Sequence, residues 1–302
     1  MKFSAKILLF GEYLVLNKSD ALLIPLSKYS GELAFLDSSE EFRNGKTHSN
    51  KTLKNLHSYL IKECELSDLT NWFDISSLDS DIEKGLYFKS NIPVGYGIGS
   101  SGALTAALFS KYGKTPFNKS KTNTLELKKY LAILESYFHG KSSGLDPLLS
   151  YLQSGMHVQD GDMKVNDIDY SIANPFLIDT KKSRSTGDLV NIYHKKSLST
   201  EYFDAIKNKL IRSNNQCIHL LSEGKKSEFF SSLRELSSLQ FEYFREMILS
   251  EYESLWRLGL ETEDFYLKLC GAGGGGYLLG FTPDKEVLKK LQEDCQLVII
   301  EI

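Results

Sequence analysis

The chain has 302 residues, enough for one large domain or two of ordinary size with real cores. Hydrophobic residues make up 41% and charged residues 25%, close to the globular average, which excludes global disorder. Lys and Arg number 36 against 39 Asp and Glu, a net charge of -3, so bulk electrostatic capture of nucleic acid or an anionic membrane is disfavoured. Cys64, Cys217, Cys270 and Cys295 lie far apart with no C-x-x-C pair, and no H-E-x-x-H occurs among the histidines. That removes a disulfide framework and a thiolate zinc site, and points to reduced cysteines in a cytoplasmic protein. The apolar start is interrupted by Glu12, with no cleavage site after it. Ser90 to Ser110 runs 21 residues without a charge, but its first half is Asn, Pro, Ser and Gly, so it does not read as a membrane span.

In chain order, KILLFGEYLVL and ALLIPLSKYSGELAFLD read as strands. Leu53, Leu56, Leu60, Ile61 and Cys64 recur at helical spacing. LYFKSNIPVG reads as a strand entering a glycine-rich loop, and SGALTAALFSKYG as a helix stopped by Gly113. A helix over about 124–138 carries Leu127, Leu131, Leu134 and Phe138 on one face, and LDPLLSYLQ reads as another. GMHVQDGDMKV is a hairpin signal with Asp160-Gly161 at its turn. From Phe176 the texture changes: FLIDT reads as a strand, SRSTGDLV as a loop, and 201–222 and 227–258 as long helices. FYLKLCGAGGGGYLLGF is two strands around a glycine loop, followed by a helix near 284–294 and a last strand. The expectation is two α+β domains, 1–174 and 175–302, with a cleft between them.

Four segments carry chemistry. In PVGYGIGSSGALTAAL, from Pro93, the glycines Gly95, Gly97 and Gly99 alternate before Ser100, Ser101 and Gly102 open a helix. Unbonded N–H groups and the dipole make such a helix start an anion site, phosphate above all; the plainer reading is a tightly packed turn. The spacing Gly97-x-Gly99-x-x-Gly102 matches the dinucleotide fingerprint formally, but no βαβ pattern surrounds it, and no Gly-Lys-Ser/Thr follows for a Walker A loop. The run Gly271 to Gly276 sits between apolar strands rather than polar flanks, so it reads either as a close backbone approach or as a bulged hairpin. In ESYFHGKSSGLDP, Glu135 lies one helical turn from Leu131 and Phe138, and a carboxylate on that side needs a base or a metal as partner. Asp146 is open to a second reading as a helix cap, and His139 as a helix-end packing residue. Lys6, heading an apolar strand, reads by itself as a solvated strand end, and Glu12 as a strand break.

Together these segments resemble the GHMP kinase superfamily, most closely its mevalonate-kinase-like branch. A-K-I-L-L-F-G-E-Y, P-V-G-Y-G-I-G-S-S-G, E-S-Y-F-H-G-K-S-S-G-L-D, F-L-I-D-T-K-K-S-R-S-T-G and G-A-G-G-G-G occur in the family's order, over most of the chain. The resemblance implies a two-domain fold with the active site in the interdomain cleft, and an ATP- and Mg2+-dependent phosphotransferase acting on the hydroxyl of a small molecule. Mevalonate, converted to 5-phosphomevalonate, is the implied acceptor. Phosphomevalonate, a sugar or sugar acid, or a non-catalytic ligand-binding role are the alternatives, and monomer and homodimer both remain open. The resemblance further implies that Pro93 to Gly102 cradles the ATP phosphates and that Glu135 and Ser101 ligate Mg2+. By the same carry-over Asp146 accepts the hydroxyl proton, Lys6 stabilises the negative charge, and Glu12, Tyr13, Thr186, Gly273 and Gly274 meet the substrate. Tyr13 stands where mevalonate kinases usually carry His, as G-E-Y does in phosphomevalonate kinases, and Gly102 replaces a usual Ala. Lys181, Lys182 and Arg184 are either a solvated face or an attractor for an anionic substrate.

Overall fold

The structure is a computed structural model that describes residues 1–36, 44–66, 68–114, 121–160, 162–165, 168–183 and 186–302, the side chains of 44–47, 65–66, 121–123 and 186 excepted. In chain order the elements are β1 (Phe3–Phe10), β2 (Ala21–Phe35), α1 (Asn44–Leu66), α2 (Leu69–Trp72), α3 (Ile75–Glu83) and β3 (Leu86–Ser90). Then come α4 (Ser100–Tyr112), α5 (Lys121–His139), α6 (Leu145–Leu152), β4 (Met156–Gln159), β5 (Asp162–Val165) and β6 (Pro175–Asp179). The rest is α7 (Thr186–Lys196), α8 (Thr200–Ala205), α9 (Ile211–Ser222), α10 (Lys226–Tyr243), α11 (Glu253–Thr262), β7 (Tyr266–Leu269), β8 (Tyr277–Phe281), α12 (Glu286–Asp294) and β9 (Ile299–Glu301). No helix among the described residues is long and apolar enough to cross a membrane.

Mixed helix and sheet is what the sequence pattern gives, with three local corrections. The first strand stops at Phe10, because Gly11 (φ 114°) and Tyr13 (φ 57°) turn the chain and Leu14–Asn17 forms a 3-10 turn. SRSTGDLV is not all loop, since α7 begins at Thr186. The stretch 227–258 is not one helix. α10 ends at Tyr243, and the backbone becomes extended at Ile248 and Leu249 before α11 begins. The break buries Phe244, Met247 and Ile248 and turns the Met247 carbonyl to the Gly274 amide at 2.7 Å. The 201–222 stretch is helical, with one π turn at Ile206–Leu210.

The chain divides into two compact units that interleave along the sequence. Unit 1 comprises Met1–Lys6, Pro25–Ile92 and Gly99–Gln153. Within it, β3 pairs antiparallel with the second half of β2, Gly31 opposite Ser90 and Phe35 opposite Leu86. α4 is buried nearly all round, from Gly102 through Phe109, and packs against α5 and α6. Such a helix is apolar on every face because every face is covered. Trp72 is buried here, stacked on Tyr130 with ring centroids 4.2 Å apart.

Unit 2 comprises Ile7–Ile24, Pro93–Ile98 and Ser154–Ile302. The β4–β5 hairpin turns at Asp160 (φ 51°), and β4 pairs with the first residues of β2. An antiparallel sheet in the order β7-β8-β6-β9 is covered by α10 and α11. α10 meets that sheet through polar as well as apolar groups. Gln240 Oε1 accepts from the Leu269 amide at 2.9 Å, and the buried Trp256 indole donates to Ser237 Oγ at 2.9 Å.

Candidate active site

In unit 1, four sequence-predicted residues come together around the starts of α4 and α6. Lys6 interrupts the burial of β1, and its ammonium reaches Asp146 Oδ2 at 3.0 Å. The side chains are 14% and 32% exposed, so the pair is open on one side. An exposed pair of this kind adds at most about 1 kcal/mol of stability, and its value lies in aiming two charged groups at one point. The aliphatic stem of Lys6 passes over Gly99, where a Cβ would stand 2.8 Å from Lys6 Cγ. Gly99 also caps α4 at φ 80°, so both the conformation and the close approach require glycine.

Asp146 is not the cap of α6. Gly144 holds that position at φ 73°, and the Ser142 and Ser143 hydroxyls accept from the Gly144 and Leu145 amides at 2.9 and 3.3 Å. With the turn closed by those serines, Asp146 sits in the first helical turn and faces Lys6. Gly102 explains how α6 comes so close to α4. A Cβ there would lie 2.9 Å from the Asp146 carbonyl carbon and 3.0 Å from Pro147 N.

Glu135 on α5 is 3% exposed. Ser101 Oγ donates to its Oε1 at 3.1 Å, and the Ser142 hydroxyl donates to Oε2. Burial, and then the negative charge of Asp146, push its carboxyl up to about 7, against the lowering effect of the two hydroxyls and Lys6. A buried carboxylate so disfavoured accommodates a cation. Its donors are a carboxylate and a hydroxyl, the oxygen set that a divalent magnesium ion takes when phosphates and water complete its shell, so the residues fit that ion. His139, at the end of α5, places Nε2 2.9 Å from Ser101 Oγ, which the sequence left undecided. Ser100 is the first residue of α4, whose first bonded amide is that of Ala103, on the Gly99 carbonyl at 3.0 Å. The amides of residues 100–102 therefore lie at the unbonded end of the helix, where an anion gains most.

Unit 2 holds the other predicted residues. The loop Pro93–Ile98 carries Gly95 and Gly97, with Tyr96 Oη 3.1 Å from Asp179 Oδ1. The Tyr96 backbone lies against Gly276, where a Cβ would come within 2.7 Å of its carbonyl oxygen. Between β7 and β8, Gly271, Gly273, Gly274, Gly275 and Gly276 all have positive φ. A side chain at Gly273 would strike the Met247 carbonyl at 2.4 Å, so packing demands glycine there, while at Gly274 the neighbour is the movable Leu189 Cδ1 at 2.6 Å and the φ of 67° is what favours glycine. Glu12 and Tyr13 are buried and turned to interior partners, Lys268 and the Ala272 carbonyl respectively. Thr186 opens α7, and its side chain and Arg184 lie outside the described residues. Lys182 pairs with Glu251 at 2.5 Å. Sequence reasoning missed Lys268 and the contact of Ser142 with Glu135. The signal for the first was a single lysine inside the apolar strand FYLKL, directly before the glycine loop.

Residues 61–154 match the family model for the GHMP kinases N terminal domain. A mevalonate kinase of Dictyostelium discoideum is 21% identical over 254 residues, 75% of this chain and 62% of that protein. One from Thermococcus sibiricus is 28% identical over 215 residues, 69% of this chain and 63% of that protein. The chain thus spans about three fifths of the curated relatives it matches. Among solved structures, L. major mevalonate kinase in complex with R-mevalonate superposes with a TM-score of 0.67 over 99% of this chain and 94% of that one, at 17% identity. Streptococcus pneumoniae phosphomevalonate kinase in complex with phosphomevalonate and AMPPNP gives 0.68 over 100% and 99%, at 16% identity. Residues 61–154 thus resemble a GHMP kinase N-terminal domain, and the fold is similar to that of mevalonate and phosphomevalonate kinases. The curated relatives that the chain matches are mevalonate kinases, at 21% to 28% identity.

Proposed function

We propose that this protein is an ATP-dependent kinase that transfers the γ-phosphoryl group to the hydroxyl of mevalonate, giving 5-phosphomevalonate. The observation that carries the reading is the Lys6–Asp146 pair at 3.0 Å, in the same unit as the Glu135–Ser101 pair at the start of α4. The unbonded amides of residues 100–102, at the start of α4, would meet the ATP phosphates. Glu135 and Ser101 would hold Mg2+, whose chemistry there is to neutralise charge on the transferring phosphates. Asp146 receives the hydroxyl proton as the oxygen–phosphorus bond forms, and Lys6 offsets the negative charge between the acceptor oxygen and the phosphoryl group. The transition state of this transfer is loose, so most of the contribution is positioning and electrostatics rather than early deprotonation.

Magnesium-dependent ADP release, assayed with mevalonate, phosphomevalonate, diphosphomevalonate and a sugar panel, tests the reading. Turnover is expected on mevalonate, with a loss of about 10²-fold or more in Asp146→Asn. Turnover on phosphomevalonate instead supports the second reading, which rests on Tyr13 in G-E-Y. ATP binding without turnover on any compound would sink both.

A further inference from the structure

Two side chains beside the Glu135–Ser101 pair have no part in the proposed transfer: His139 and Ser142. Glu135 and His139 stand four residues apart on α5, so they share one face, and both reach Ser101 at the start of α4. α5 ends at His139 because Gly140, at φ 72°, closes the last turn with its amide on the Ser136 carbonyl at 2.7 Å. The chain then returns to Glu135, and the Ser142 hydroxyl donates to its Oε2.

The valence of the two hydroxyls decides what these contacts do. Ser101 has one hydroxyl proton, which goes to Glu135 Oε1 at 3.1 Å. A ring nitrogen 2.9 Å from the same oxygen is then the donor, so His139 carries a proton on Nε2 and occupies one Ser101 lone pair. One lone pair is left over. Ser142 is committed on both sides, giving its proton to Glu135 and accepting from the Gly144 amide at 2.9 Å. Oε2 is thereby tied to the turn before α6, while Oε1 stays beside Ser101 Oγ. Among the described residues, no group of three or more His, Cys, Asp or Glu side chains could hold a metal by itself. A carboxylate and a hydroxyl do so only when phosphates and water complete the shell. With so few protein ligands, their aim matters, and aim is what the groups behind metal ligands supply.

We propose that His139 and Ser142 are positioning residues for a divalent cation held by Glu135 and Ser101. His139 sets the Ser101 hydroxyl, Ser142 sets the Glu135 carboxylate, and neither is itself a ligand. The inference rests on the magnesium ligation proposed for the kinase and adds what keeps those ligands in place.

The probe is Mn2+, which takes the same oxygen ligands and whose free form is counted by electron paramagnetic resonance. It is titrated into the intact chain saturated with a non-hydrolysable ATP analogue, for wild type, His139→Leu, His139→Gln and Ser142→Ala. Leucine and alanine delete the donor, whereas glutamine keeps an N–H. The Mn2+ dissociation constant should rise about 10- to 100-fold in His139→Leu and Ser142→Ala, and stay within about threefold of wild type in His139→Gln. Affinity for the analogue without metal should change less than about twofold in all of them, a split that general loss of structure does not produce. Unaltered Mn2+ binding in either deletion variant, or a glutamine variant as weak as the leucine one, overturns the proposal. So does a wild type that adds no Mn2+ binding to that of the free analogue. A wild type that binds Mn2+ and nucleotide but phosphorylates no acceptor removes the kinase reading, while the titration still decides the roles of His139 and Ser142.

Discussion

Glu135 ties acid–base chemistry to stability. Its folded carboxyl titrates near 7 against an ordinary value of 4.5, mainly because burial disfavours the charge. Below pH 4.5 the group is protonated in both folded and unfolded chains, and the fold bears no penalty from it. Between 4.5 and 7 the unfolded chain gives up the proton while the folded one keeps it, so stability falls as pH rises and levels off above 7. The full effect is on the order of 3 kcal/mol. The thermal midpoint of the ligand-free protein should therefore fall from pH 5 to pH 7 more steeply than that of Glu135→Gln. At pH 8 the variant should be the more heat-stable and the less active protein. A variant whose midpoint tracks the wild type at every pH would contradict this account.

At the level of helices and loops, the close pair is α4 and α6, and Gly102 is what allows it. Alanine at 102 is favoured by helix propensity by about 1 kcal/mol. It would also set a Cβ 2.9 Å from the backbone of Asp146, which a rigid helix start cannot yield cheaply. The expected outcome for Gly102→Ala is a thermal midpoint within a few degrees of wild type and turnover lowered about tenfold or more, as Asp146 shifts relative to Lys6. Equal kcat in the variant would show that Asp146 tolerates the displacement. The sequence showed the glycine and the departure from Ala but not its reason, because a contact between residues 102 and 146 leaves no trace in local pattern. Asp146 was undecided for a similar reason. Ser142, Ser143 and Gly144 all compete for the capping role, and only the fold shows that the serines and the glycine take it. Strong periodicity made α1, α5 and the glycine-flanked strands legible. The break between α10 and α11 was not, since Phe244, Met247 and Ile248 prolong an apolar helical pattern while the tertiary core holds them in a different backbone conformation.

At the scale of the whole molecule, the interleaving of the two units decides what can fold alone. The segment Ile7–Ile24 belongs with residues 154–302, where Phe10 stacks on Phe281 at 5.6 Å and meets Phe229 at 6.2 Å, and Leu14 is fully buried. Each such side chain contributes about 2 kcal/mol of burial, and a domain has only about 5–15 kcal/mol in total. A fragment that begins at Ser154 should therefore lack a cooperative thermal transition and bind a hydrophobic dye, and a fragment that melts sharply would refute the argument. Composition and strand patterns could place strands and helices in both halves of the sequence, but not this exchange of segments, which depends on pairing across more than a hundred residues.

The chain has two tryptophans, and each unit buries one: Trp72 in unit 1 and Trp256 in unit 2. Intrinsic fluorescence thus arrives already divided between the units. With excitation selective for tryptophan, Trp72→Phe leaves a single tryptophan that watches the second unit, and Trp256→Phe one that watches the first. Comparing the two melting curves would show whether the units lose structure in one step or in succession, and adding nucleotide would show which of them responds, with no dye attached.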